Sequence, residues 1–372
     1  MAFRSAHARA DDWRNGLERV LEQLRVGGAA NSIATGPGFI YLSEHWSAHV
    51  AEIVAALKAA TGVEAWVGSV GVGVIAAGVE YMDEPAMSVL IADWPADEYR
   101  IFSGKSRAPS AGERTRSGAE AAHFAIVHGD PATADMPALI EDMADKLASG
   151  FLVGGLSSAR AQTVQVANDV LTGGLSGVVL SAAIPIATQL TQGCAPLATS
   201  HIVTEGERNI MIAIDGRPAL DVYKEVIGET LSRDLNRAAH MFLVGLPVSA
   251  TDTGDYVVRN VVGIDTKNKL IAIGAEVEPG MPIIFCRRDG DAARSDMRRM
   301  LDRLAGQLDG PPRGGIYISC LGRGEHMFGA PSAEVGMIRE RFGDFPLAGF
   351  FANGEISHNR LYGYTGVLTL FR

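Results

Sequence analysis

Short apolar runs alternate with stretches of helical spacing along most of the chain, and three of these alternations share one order. Each starts with a strand-like run, at residues 40–43, 125–128 and 316–319. Apolar residues three or four apart follow: Val50, Ile53, Val54 and Leu57, then Leu139, Ile140, Met143 and Leu147, then Val335, Ile338 and Phe342. That spacing predicts helices over residues 48–60, 136–147 and 332–342, each with one apolar face. Next comes a strand ending on glycine, at Gly68, Gly154 and Gly349, and then a small or glycine-rich turn. A last apolar strand closes each copy, at residues 88–94, 177–181 and 366–371. It follows too closely for another crossover helix, so an antiparallel return is expected. The fold class is therefore α/β, with mixed parallel and antiparallel sheets flanked by helices and a weak strand–helix–strand–turn–strand repeat.

The segments outside the repeat are also readable. Leu17, Val20, Leu21 and Leu24 place an amphipathic helix within residues 1–30. Residues 201–220 read as two strands and a bend at Asp215-Gly216, and residues 257–277 as a hairpin turning at 265–268. Residues 292–308 form a helix on which Arg294, Arg298, Arg299 and Arg303 alternate with Asp296 and Asp302, the pattern of a solvated face. Residues 103–118 carry no large apolar side chain but hold Lys105, Arg107, Arg114 and Arg116, which suits an exposed loop or a lid over an acidic ligand. Residues 170–200 lack any charge, yet Pro185, Pro196, Gln189 and Gln192 make buried strands a better reading than a membrane span.

Length and charge narrow the function. A chain of 372 residues suggests two domains. Its 43 glycines exceed the usual share of roughly 7% without a G-X-Y period, which points to tight turns and close backbone approaches. The formal charge of −10 disfavours nucleic acid as a partner. Cys194, Cys286 and Cys320 are too scattered for a disulfide framework or a zinc site, so a reducing, cytoplasmic setting is expected, with no metal and no cofactor.

Three spots hold candidate chemistry. Cys320, Arg323 and His326 follow a strand in ISCLGRGEH, where α/β sheets place ligand loops. Arg323 is suited to a carboxylate or phosphate, and Cys320 with His326 as base is the candidate nucleophile of an alternative, enzymatic reading. In GFFANGEI, Asn353 turns the chain and Glu355 re-enters apolar surroundings, where a carboxylate needs a partner such as Arg323 or a ligand amine. In GGLSSA, Gly155, Ser157 and Ser158 are placed to offer backbone N–H groups to an anion. GSVGVG lacks the full dinucleotide spacing.

The runs ISCLGRG, PLAGFFANGEI and LYGYTGVLTLF resemble the C-terminal half of FIST-domain (F-box and intracellular signal transduction) proteins. AWVGSVGVGVIAAGVE, FLVGGLSSA, TQGCAPLATSHIVT and DGRPALDVYKEVIG are similar to the N-terminal half and the junction. The resemblance spans residues 32 to 370 and implies a FIST N-like domain over residues 31–217 and a FIST C-like domain over 218–372. It also implies a sensory module for an amino-acid-like or other small ligand; the turns at the strand ends offer Cys320, Arg323, Asn353, Glu355, Gly155, Ser157 and Ser158 as its expected contacts. No output domain of the kinds joined to such modules fits in the remaining residues, so a partner protein or self-association is expected to carry the signal.

Overall fold

The repeat is real, and its three copies are interlocked. A computed structural model describes residues 2–26, 36–104, 106–248 and 256–372. The expected boundary between residues 30 and 31, and Lys105, lie outside these. Strand β1 (Phe3–Arg9) and helix α1 (Trp13–Val26) lead into copy 1: β2 (Gly38–Ser43), α2 (Val50–Thr61), β3 (Trp66–Gly71), the hairpin β4 (Gly73–Ala76) and β5 (Val79–Met82), and β6 (Ala86–Ala92). The first residues are thus a strand, where the reading of 1–30 had only a helix; Ala6 and Ala8 alternate inward on it, a period of two that the helical spacing further on obscured. Strand β7 (Tyr99–Phe102) leads into copy 2: β8 (Phe124–Gly129), α3 (Met136–Asp145), β9 (Phe151–Leu156), the hairpin β10 (Gln165–Ala167) and β11 (Asp169–Leu171), and β12 (Leu175–Leu180).

Strand β13 (Ile186–Gln192) then leaves for a long insertion. This comprises β14 (Cys194–Glu207), β15 (Ile210–Ile214), β16 (Arg217–Pro218), α4 (Ala219–Leu231), α5 (Leu235–Met241), β17 (Phe242–Pro247), β18 (Tyr256–Arg259), β19 (Val261–Asp265), β20 (Leu270–Ile273), β21 (Pro282–Arg288) and α6 (Gly290–Ala305). Copy 3 follows: β22 (Gly314–Cys320), α7 (Glu325–Phe328), α8 (Ala333–Phe342), β23 (Leu347–Ala352), the hairpin β24 (Glu355–His358) and β25 (Arg360–Tyr362), and β26 (Thr365–Phe371). By contacts the chain divides into unit 1, residues 1–191 with 295–372, and unit 2, residues 192–294.

Unit 1 holds three six-stranded sheets of one design: β1-β6-β2-β3-β10-β11, β7-β12-β8-β9-β24-β25 and β13-β26-β22-β23-β4-β5. In each, the two strands around the crossover helix are parallel and the closing strand is antiparallel to the first of them. The hairpin at the far side always comes from another copy. Copy 1 supplies copy 3, copy 2 supplies copy 1, and copy 3 supplies copy 2.

The three glycines occupy one position in the three copies, opposite Ile40, Val127 and Tyr317 on the parallel neighbour. They sit inside their strands; the expectation that they end them is corrected, because each strand runs two or three residues further before its hairpin crosses to another sheet. A Cβ there would lie 1.7, 2.0 and 1.7 Å from the carbonyl oxygens of Ile40, Val127 and Tyr317, so only glycine permits this backbone approach.

Aromatic rings fill the place where the copies meet. Tyr41 stacks on Phe350 with centroids 5.2 Å apart, and the buried His128 meets both. Burial pushes the His128 imidazole down to about 3, so it is neutral in this apolar setting.

In unit 2, β18-β17-β21-β14-β15-β20-β19 form one sheet, with β16 beside β15. Helix α4 covers it with Leu220, Tyr223 and Ile227. The strands and turns expected at residues 201–220 and 257–277 are present. The uncharged run is likewise made of strands, although Val170 is exposed. No helix among the described residues is long and apolar enough to cross a membrane.

Candidate functional site

Two places in unit 1 compete as the site: the buried loop cluster that the sequence singles out, and an open cleft on the face of copy 2. Strands β22 and β23 are parallel neighbours with Cys320 opposite Ala352, so the Cys320–Arg323 loop and the Asn353–Glu355 turn leave the sheet side by side, as expected. Gly155 joins them through its pairing with Glu355 across β9 and β24.

Arg323, however, is not offered to a ligand. Its side chain has no exposed surface and donates from Nε (2.9 Å) and an Nη (2.7 Å) to Glu334, which is equally buried. The same carboxylate accepts from the Tyr317 hydroxyl, from Ser319 Oγ at 2.9 Å and from the Gly324 N–H at 2.9 Å. Phe328 closes the cluster with its ring 5.0 Å from the guanidinium. The sequence reading gave Arg323 to Glu355 or a ligand and missed Glu334. A signal was present: Glu334 lies one helical turn before Ile338, on the buried face of α8.

Glu355 is also fully buried. One oxygen accepts from the Thr365 N–H (3.1 Å) and hydroxyl (2.8 Å), while Oε1 has no hydrogen-bond partner. Burial pushes its carboxyl up to about 7, against the opposing pull of Thr365, Arg323 and the Cys320 thiol. Burial first, and the Glu355 charge second, push the Cys320 thiol far above its ordinary value, the reverse of what a nucleophile requires. His326 lies exposed on the single turn α7.

The remaining candidates act within the fold. Asn353 is exposed and its N–H donates to Leu156 O at 3.0 Å. Ser157 Oγ donates to Val70 O at 2.6 Å, and its N–H to Gly129 O at 2.9 Å. Ser158 Oγ donates to Phe351 O and accepts from the Val72 N–H at 2.9 Å. These hydroxyls tie the three copies together where the sequence suggested an anion nest. Among the described residues no group of three His, Cys, Asp or Glu side chains is arranged to hold a metal ion.

The cleft arises from a difference between the copies. In copy 1, α1 lies on the sheet beside α2, filling the layer with Leu17, Val20 and Leu24. In copy 3, α6 takes the corresponding place in the chain. Its Asp296 meets Thr191 of β13, its Asp302 meets Arg341 of α8, and Met297, Met300, Leu301 and Leu304 are buried. In copy 2 the described residues of the connection from β7 to β8 form no helix. Its loop of small and polar residues leaves a cleft of about 790 Å³ between residues 102–104 and 106–111, α3 and the turn before β12. Phe102, Leu139, Met143, Leu171 and Leu175 form its apolar walls, and Ser106, Arg107, Asp142, Lys146 and Thr172 its polar ones. The volume is in the range of small-molecule sites, roughly 300–1,000 Å³.

Comparison with known proteins places the chain. The FIST N domain matches residues 38–217 and the FIST C domain residues 219–358, so the two matches meet within unit 2, between β16 and α4. An uncharacterized protein of Mycobacterium tuberculosis is 31% identical over 363 residues, covering 94% of this chain and 93% of its own. An uncharacterized protein of Mycobacterium bovis is 33% identical over 343 residues, covering 86% of each.

Proposed function

Because the chain belongs to the FIST family, whose domains are sensory domains of signal-transduction proteins, we propose that it binds a small molecule in the cleft of copy 2 and reports its presence. One observation carries this reading. Where copies 1 and 3 cover the sheet with an amphipathic helix, copy 2 leaves a cleft with apolar walls and a polar rim. Surface of that kind is stabilised by an occupant that removes its apolar part from water. In this reading the loop segment of residues 106–111 is the element that changes on binding, and a partner protein or self-association in the cytoplasm receives the signal. Arg323 and Glu355 serve the sensor by fixing copy 3, and a reacting Cys320 has no part in it.

The test is a thermal-shift screen of metabolites on the native chain and on Leu139→Trp, whose indole fills the cleft from α3. Compounds that raise the melting temperature of the native chain are expected to leave that of the variant unchanged. Equal shifts in both proteins would place the ligand elsewhere.

A further inference from the structure

We propose that the ligand of this cleft is an amphipathic anion: an acyl-chain or fused-ring body carrying one carboxylate, sulfonate or phosphate group. The proposal rests on reading the cleft as the ligand site, and it names what that site selects.

The apolar requirement follows from register. Ala6 of β1 faces Val89 of β6, and Phe102 of β7 faces Gly177 of β12; Val89 and Gly177 are in turn opposite the equivalent residues Ile40 and Val127. Ala6 and Phe102 therefore hold the same place in their sheets. Ala6 is packed with the apolar side chains of α1, whereas Phe102 stands in the wall of the cleft. An occupant of copy 2 has to present what α1 presents in copy 1, an apolar face several side chains long. A free amino acid would leave most of the 790 Å³, and most of the wall formed by Leu139, Met143 and Leu175, uncovered.

The charge follows from elimination among the polar groups of the rim. Lys146 is engaged by Asp142 one helical turn away. The N–H groups of Gly173 and Gly174 are taken by Asp130 (3.0 Å) and Thr133 (2.7 Å), so the turn before β12 is not an anion nest. Arg107 is exposed on the loop and has no hydrogen bond or ion pair with a described residue. Among the described residues of the rim, the unmatched positive charge is therefore that of Arg107, the side chain whose planar fork suits a carboxylate, sulfonate or phosphate.

The full chain is titrated with 8-anilinonaphthalene-1-sulfonate and with its uncharged parent N-phenyl-1-naphthylamine, read by fluorescence. One saturable sulfonate site is expected, with the uncharged dye at least about 10-fold weaker, the difference a single charge-assisted contact makes. Decanoate and decyl phosphate, in separate arms, show which anion the site prefers, and either displaces the dye; leucine does not. Arg107→Glu should lose the preference for the sulfonate and keep its affinity for the uncharged dye, which shows that the variant is folded. Equal binding of the two dyes, an Arg107→Glu protein that retains the preference, or displacement by leucine would overturn the ligand class while leaving the cleft as the site. No dye binding, or binding unchanged in Leu139→Trp, would overturn the cleft reading itself.

Discussion

Removing the Glu334 carboxylate should destabilise unit 1 through copy 3. Glu334 and Arg323 both have side chains at 0% exposure, so water does not screen their attraction. Glu334→Ala leaves a buried guanidinium whose Nε and Nη lose their acceptor, and strands Tyr317 and Ser319 hydroxyls and the Gly324 N–H as well. Breaking one side of a buried pair costs about 3–5 kcal/mol. At roughly 2–4 °C per kcal/mol for a domain of this size, the melting temperature should fall by about 10 °C. Replacing both partners, as Arg323→Met with Glu334→Leu, removes the uncompensated charge and should recover much of that loss. Since the chain has two units, the readout is amide hydrogen exchange along β22, which reports on unit 1 alone. Single variants within about 1 kcal/mol of the native chain, or a double variant whose loss is the sum of the singles, would refute the reasoning.

Three further outcomes are expected. Gly68→Ala, Gly154→Ala and Gly349→Ala should each prevent stable folding, because the new methyl meets a backbone carbonyl, whereas Gly62→Ala, in the left-handed cap of α2 with open space around it, should cost only about 1 kcal/mol for its positive φ; soluble yield and urea midpoints check this. Glu355 binds its proton more tightly folded than unfolded, so its contribution is present in full below pH 4.5 and is lost as pH rises through about 7; this is a decline of about 3 kcal/mol that Glu355→Gln should flatten in urea midpoints measured from pH 5 to 8. A thiol reagent at pH 7 should label Cys320 no faster than the protein opens, since all three thiols are buried, and rapid stoichiometric labelling of the folded chain would count against that.

The parts of the fold legible in the sequence were those set by local period. The helices at Val50–Thr61, Met136–Asp145 and Ala333–Phe342 announce themselves by apolar residues three and four apart, and the closing strands by their short connections. The exchange of hairpins was not legible, because Val74 pairs with Phe350 and Ile356 with Gly154 across long separations that no local pattern encodes. For the buried cluster, the neighbourhood of Cys320, Arg323 and Glu355 followed from strand adjacency. The partner of Arg323 did not, since Glu334 comes from a helix whose rotation about its axis decides which face is buried. The cleft could have been sought by asking which copy lacks a helix before its first strand: residues 103–118, with no large apolar side chain, are that place.

The traded hairpins also limit how such a chain can change its length. An array of stacked units gains or sheds a member at either end and remains intact. Here a chain cut after copy 2 would leave β9 without β24 and give β4 no sheet to join, so one edge would lie bare and one hairpin would have no acceptor. Adding a fourth member would meet the same difficulty, because every docking edge is already taken. The insertion between β13 and β22 interrupts none of these pairings, and at such a junction this architecture can acquire new material.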